Sequence, residues 1–423
     1  MATATVTSTR LMTELERQEY YLSQLPDDYA FPLFSGKQAV ESQRRSGYKD
    51  SARAAREIVD NACEAGAKNV WVIFDRPREP ERGKHEPRNA VSAMAFIDDG
   101  PGMRPPMARY ALCWGGGSHF EEPIGIGKFG FGLPNSSINQ TRLVEVYTKT
   151  ADVDDWMYAV LDINEVPLHG LVTIPEPKPG ELPAFVRDYL KKKGIRLKSG
   201  TIVVWQKPDR LSYRKAPTLK DHLIKDFGVA YRGLLDRFNL YVEDTPVEKV
   251  DPLFLTPGGL FYKPPSEDGA RCEFEREIPV KYYADDETGA QHIEELQDIE
   301  TLEAARTDSK VLAVGVIRVR VAHFPFGFVV GRGKLDDPDA KKRFEIRKPR
   351  RGMSFMRAGR EIETFDIFPK SDQDVSSGLG DWPLLQSYAY HWGIEVAFDP
   401  ELDDAFGVGN DKQTVRSTTS GES

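Results

Sequence analysis

Glu57 and Asn61 stand one helical turn apart in the stretch ARAAREIVDNACEA, residues 52–65. The helical period brings Glu57, Asn61 and Glu64 almost into line on one face. A carboxylate there can accept a proton from water, and an amide oxygen one turn on is a hard ligand suited to magnesium. Together they could serve one metal–nucleotide site. The same residues would equally suit the solvent face of an amphipathic helix. The opposite face carries Ala55, Ile58, Val59, Ala62 and Cys63 at i, i+3, i+4, i+7 and i+8, the stripe of a helix packed on a core.

Two further stretches carry chemistry. Asp98-Asp99-Gly100-Pro101-Gly102-Met103 follows the apolar run Ala93 to Ile97. A carboxylate at a strand end, then glycines at alternate positions, makes a tight turn that a ligand can approach closely. Asp98 could accept a hydrogen bond from an exocyclic amine such as that of adenine; an acidic β-turn is the alternative. Gly125 to Leu133 reads GIGKFGFGL, with Trp114 to Phe120 (WGGGSHF) before it. Glycines opening a helix present free N–H groups and a positive end, which together cradle phosphate. Lys128 could add a point charge; a structural hinge is the alternative. Thr201, in Ser199-Gly200-Thr201, could place its hydroxyl beside the same pocket.

These residues need elements to hold them. Asp50 or Ser51 caps the central helix and Gly66 ends it. Asn69 to Phe74 and Ala93 to Ile97 read as strands, separated by a charged, exposed loop from Arg76 to Asn89. Pro105 to Cys113 reads as a short helix, and another helix starts near Pro134. Leu143 to Thr148, Trp156 to Ile163 and Ile202 to Trp205 read as strands, and Glu181 to Lys193 as a helix. Before all of these, residues 1–9 read as a disordered tail, Leu11 to Leu25 as a short helix, and Pro26 to Phe34 as a loop able to pack on its own domain or a second subunit.

The chain has 423 residues, 40% hydrophobic and 29% charged, enough for two or three domains with a sizeable core. A net charge of -9 means that nucleic-acid binding would need a local basic patch. Three scattered cysteines lack metal-ligand spacing and suit a reducing compartment. No apolar run is long enough to span a bilayer, and the small, polar N-terminus lacks the apolar core of a secretory signal. A cytoplasmic location is expected, or a nuclear one in a eukaryote.

The order E-x-x-D-N, D-x-G-x-G-M, glycine lid, G-x-G-K-F-G-x-G, then G-T before a strand resembles the gyrase, heat-shock chaperone, histidine-kinase and MutL (GHKL) ATPases. The resemblance implies a Bergerat-type α/β (α+β) ATP-binding sandwich, with a mixed sheet covered by helices on one face, and ATP and magnesium as cofactors. By it, Glu57 is the general base and Asn61 the magnesium ligand. Asp98 reads the adenine amine, aided by Thr201, with Gly100, Gly102 and Met103 beside the base. Gly127, Lys128, Gly130, Phe131, Gly132 and Leu133 hold the phosphates beneath a lid over residues 113–128. The Glu of E-x-x-D-N marks the hydrolytic branch, and no phospho-acceptor helix of a histidine kinase is visible.

In the second half, Leu219 to Phe238 reads as a helix, and Leu240 to Glu243, residues 273–283, residues 311–322 and Trp392 to Phe398 as strands. Residues 284–309 read as an acidic, partly helical insertion, and Gly352 to Glu361 as two strands about a tight turn. Ala340 to Arg351 holds seven Lys or Arg in twelve residues. It reads as a solvated loop or as a DNA phosphate patch over Lys341 to Arg351. Phe406 to Gln413 (FGVGNDKQ) resembles the N-K-Q segment of the microrchidia (MORC) ATPases, in which a transducer lysine reaches the terminal phosphate. Lys412 takes that role by resemblance. Departures are the lack of a zinc-binding CW-type module and of a long coiled coil after Gln413, which suits a minimal ATPase module or a piece of something longer.

The expected division is a tail at 1–9, an ATP-binding domain at 10–215, a transducer-like α/β domain at 216–415 and a tail at 416–423. The expected function is a slow, magnesium-dependent ATPase switch that dimerises with ATP and acts on DNA in genome maintenance or defence. The alternative is a chaperone-like clamp on a protein client. No membrane partner is expected.

Overall fold

Alternating apolar residues on adjacent strands organise the first half of the molecule. The structure, a computed structural model, describes residues 36–45, 47–76, 89–114, 132–165, 173–285, 288–329, 337–350, 352–365 and 391–408. The helix expected at Leu11 to Leu25 and most of the loop after Arg76 lie outside the described residues, as do most of the lid and the N-K-Q segment.

The elements of the first half are α1 (Gly36–Arg45), α2 (Ser51–Glu64), β1 (Asn69–Asp75), β2 (Ala93–Asp98), α3 (Pro105–Tyr110), α4 (Gly132–Gln140), β3 (Leu143–Lys149) and β4 (Met157–Asp162). They continue with β5 (Lys178–Pro179), α5 (Ala184–Lys193), β6 (Gly200–Gln206), α6 (Ala216–Ala230), β7 (Asn239–Val242) and β8 (Thr245–Pro246). The strands form one eight-stranded sheet in the order β5-β4-β3-β6-β2-β1-β7-β8. The β1–β7 pair is parallel; the others are antiparallel.

Period-2 alternation sends Val70 and Val72 of β1, Met94 and Phe96 of β2, Val144 and Val146 of β3, and Val203 and Trp205 of β6 into one core. Residues of α1 to α4 and α6 fill that core from above. The intervening residues, including Ile73, Ala95, Ile97, Ile202 and Val204, pack with Val186 and Leu190 of α5. Helices therefore cover both faces rather than one, because the strands are apolar on both sides.

The sheet also continues past residue 215, where a second domain was expected to start. β7 pairs with β1 from Asn69↔Asn239 to Val72↔Val242. Leu219, Leu223 and Phe227 of α6 are fully buried in the first core. That helix starts at Ala216 and stops at Ala230, shorter than the run to Phe238 that its apolar residues suggest.

The second half comprises β9 (Arg271–Ala284), β10 (Gln291–Glu295), α7 (Thr301–Ala305), β11 (Val311–His323), α8 (Ala340–Arg347), β12 (Met353–Arg357), β13 (Arg360–Phe365) and β14 (Trp392–Phe398). Six strands form a second mixed sheet, β10-β9-β11-β14-β12-β13. The acidic insertion thus contains a strand, β10, whose burial-free sequence carries no alternation to announce it. The tight turn expected near Gly352 to Glu361 is present at Ala358 and Gly359, between β12 and β13.

Buried ion pairs join the two sheets. Arg232, just after α6, donates from Nη1 to Glu361 Oε2 at 2.5 Å and from Nη2 to Glu395 Oε2 at 2.7 Å. Burial would raise the Glu361 carboxyl, but Arg232, Arg350 and Arg56 outweigh it and hold the group at about 2. Breaking one partner of such a cluster would strand a buried charge.

The basic stretch is a helix, α8, not a loop. Arg343 is fully buried, with Nε donating to the Phe328 carbonyl at 2.7 Å. Arg347 is also buried and stands over the Phe324 ring. Those two guanidiniums are packing elements and cannot meet a phosphate, while Arg351 lies outside the described residues.

Candidate functional site

The α2 helix begins where Asp50 Oδ1 accepts the Arg53 N–H at 2.9 Å. Burial would raise the Asp50 carboxyl, but hydrogen bonds from His222 and the Arg53 N–H hold it at about 2. Ala52, Ala55, Ile58, Val59 and Ala62 bury the helix against the sheet. Burial of a side chain such as Val59 contributes about 1.5–3 kcal/mol, so a charge there would lift the helix off the core.

On α2, Glu57 is 2% exposed and Asn61 is open to solvent. The start of α4 lies directly against Glu57. A Cβ at Gly132 would come within 2.6 Å of Glu57 Oε2, so any larger residue there would push the carboxylate aside. Leu133 is buried in the first core. Beside α4, Trp114 Nε1 donates to Asn135 Oδ1 at 2.5 Å, tying the residue before the glycine-rich segment to the helix after it. Gly127, Lys128, Gly130 and Phe131 lie outside the described residues, as does Lys412.

The other half of the site is built at strand ends. Asp98, Thr148 and Thr201 continue the apolar rows Met94–Phe96, Val144–Val146 and Val203–Trp205 onto the same face of three adjacent strands. Thr148 pairs directly with Thr201 across β3 and β6. Asp98 Oδ1 accepts the Gly100 N–H at 2.8 Å and the Thr201 N–H at 3.2 Å. Among the described residues no hydrogen bond reaches its Oδ2. Burial, with the Asp99 charge beside it, raises the Asp98 carboxyl to about 6 against those two hydrogen bonds.

Thr148 was not singled out in the sequence, yet it links the parts. Its Oγ1 accepts the Met103 N–H at 2.8 Å and lies 3.1 Å from both the Gly200 carbonyl and Thr201 Oγ1. The available signal was a hydroxyl residue at the position where the Val144–Val146 alternation calls for another apolar side chain. Asp99 fastens the turn from outside, accepting the Lys68 and Asn69 N–H groups at 2.7 and 2.9 Å. Gly102 has φ +73, and a Cβ there would fall 1.9 Å from the Lys149 carbonyl oxygen.

The geometry thus brings together a carboxylate acceptor with a free edge, a buried carboxylate at a glycine-opened helix, and an accessible amide one turn away. Among the described residues there is no cluster of three His, Cys, Asp or Glu that could cage a metal. An exposed amide fits an ion held mainly by phosphates and waters, the usual habit of magnesium. Among the described residues no helix is long and apolar enough to cross a membrane.

Residues 48–204 match the family described as histidine kinase-, DNA gyrase B-, and HSP90-like ATPase. The match spans α2 through most of β6; it supports a GHKL-type ATPase domain of Bergerat-type fold and suggests ATP binding and hydrolysis. No curated protein matches the chain.

Proposed function

We propose that the chain is an ATP-hydrolysing molecular switch of the microrchidia type that closes, and pairs with a second copy, when ATP is bound. What carries the reading is the convergence of Asp98, Thr148 and Thr201 at adjacent strand ends with Glu57 against the opening of α4. Asp98 Oδ2 accepts the adenine amine, and Gly100, Gly102 and Met103 shape the turn beside the base. Gly132 and Leu133, with Gly127, Lys128, Gly130 and Phe131 before them, hold the phosphates.

Glu57 takes the proton of the attacking water. Asn61 would hold a magnesium ion, which when bound offsets the negative charge of the phosphates. Lys412 touches the terminal phosphate and so distinguishes ATP from ADP, as a switch requires. Closure of a lid makes turnover slow.

DNA is the proposed partner through the exposed lysines on and just after α8. Lys341, Lys342 and Lys348 remain accessible there. A protein client is the second reading, and exposed apolar side chains on the second half favour it: Phe326 is 70% exposed, Leu312 55% and Phe274 46%.

Light scattering of the Glu57→Ala variant tests the switch. A rise from monomer to dimer mass only with ATP and magnesium is expected. Unchanged mass with ATP bound would remove the dimer. DNA affinity should fall steeply with salt and with charge reversal at Lys341 and Lys348; DNA affinity indifferent to both would favour the client.

A further inference from the structure

Glu57 is approached from the second sheet as well as from its own. Arg360 opens β13 directly after the turn at Ala358 and Gly359, and its guanidinium is buried, 2% exposed. Its Nε lies 2.9 Å from Asp60 Oδ2, and one Nη lies 3.8 Å from Glu57 Oε1. Asp60, fully buried, also has the Tyr231 hydroxyl 2.8 Å from its other oxygen. The short contact to Asp60 fixes the guanidinium, and the longer one reaches the carboxylate of the base.

The hairpin is held where this contact needs it. Arg56 Nη1 donates to the Glu361 carbonyl at 3.2 Å, and Lys49 pairs with Glu363 at 2.9 Å. Along β13 the side chains alternate: Glu361 turns to Arg232 and Ser354, while Arg360 turns to α2. Among the described residues, the charged or titratable groups around Glu57 and Arg360 include Asp60 and Arg56 on α2 and Tyr231 after α6; Asp226 of α6 is held bidentately by Arg56.

We propose that Arg360 is a positioning residue through which the second sheet orients the Glu57 carboxylate for hydrolysis. This rests on Glu57 being the base. A guanidinium fixed by one carboxylate and directed at the next restricts where the second can swing. Withdrawal of the hairpin would release Glu57, so hydrolysis follows the seating of the second sheet on the first. Arg360 itself meets neither water nor nucleotide in this role.

The test compares Arg360→Gln, Arg360→Lys and Glu57→Gln with wild type in the full chain, measuring ATP affinity, kcat and melting temperature. Misplacing a reacting group by about 1 Å costs on the order of a hundredfold. Arg360→Gln should therefore lower kcat at least about tenfold, with ATP affinity changed less than about threefold. Arg360→Lys, which keeps the charge but not the fork, should recover part of that loss. Should Arg360→Gln not fold, a several-fold lower kcat at unchanged affinity in Arg360→Lys carries the proposal. Wild-type kcat per folded molecule in Arg360→Gln, a lysine variant no better than a folded glutamine variant, or wild-type kcat in the lysine variant where glutamine does not fold, each overturns it. Loss of the Glu57 reading is distinct: Glu57→Gln would then turn over like wild type.

Discussion

Replacing Asp98 by Asn should make the protein more stable and its nucleotide binding worse. The Asp98 carboxyl moves from 3.8 to about 6 because it is buried, with the Asp99 charge beside it. The folded state thus holds a proton more tightly than the unfolded chain. Wild-type stability falls as pH rises from about 4 to about 6, and stays lowered above that. About two pH units at 1.36 kcal/mol each give a ceiling of about 3 kcal/mol. An asparagine keeps an Oδ1 for the Gly100 and Thr201 N–H groups and has no charge to desolvate.

In a cooperative unit of about 150–250 residues, 1 kcal/mol moves the melting temperature by about 2–4 °C. Asp98→Asn should therefore melt several degrees higher at about pH 8, with the gain vanishing near pH 4. With Oδ1 fixed by two N–H groups, the new Nδ2 faces the place where an adenine amine would arrive, donor against donor. Loss of a hydrogen bond to a charged acceptor costs about 1.5–3 kcal/mol, so ATP affinity should fall about tenfold to a hundredfold. A base with a 6-oxo group in place of the amine should lose much less. Scanning calorimetry across pH and titration with ATP and ITP check both halves. A pH-independent gain, a lower melting temperature at pH 8, or equal loss of ATP and ITP would refute the reasoning.

Two other substitutions separate the parts of the site. Gly102→Ala forces a Cβ toward the Lys149 carbonyl at positive φ; it should cost a few kcal/mol and abolish ATP binding, read by melting temperature and titration. Thr148→Val removes the acceptor of the Met103 N–H. Stranding that donor should destabilise the fold by about 1–3 kcal/mol in denaturant titration and weaken ATP binding, while Thr148→Ser retains both.

What was legible in the sequence is what short stretches determine. The α2 stripe, its Asp50 cap and the strand ending at Asp98 depend on neighbours within a few residues, and the structure has them in place. Thr148 escaped notice because its importance comes from lying opposite Thr201 across two strands, a pairing that no local pattern encodes. The continuation of the first sheet through β7 depends on a parallel pairing with β1, equally invisible from either segment. Arg343 and Arg347 read as solvated because their burial comes from the aromatic rings of Phe328 and Phe324 brought in by the fold. Arg360 met Glu57 only once the second sheet had docked on α2.

The most direct measurement is phosphate release beside ATP binding, in magnesium, for wild type and Glu57→Gln. The account predicts slow turnover by wild type, loss of at least about a hundredfold in the variant, the low end of what a general base contributes, and ATP affinity nearly equal in the two. A variant that hydrolyses like wild type, or a wild type that binds ATP and releases no phosphate, would contradict it.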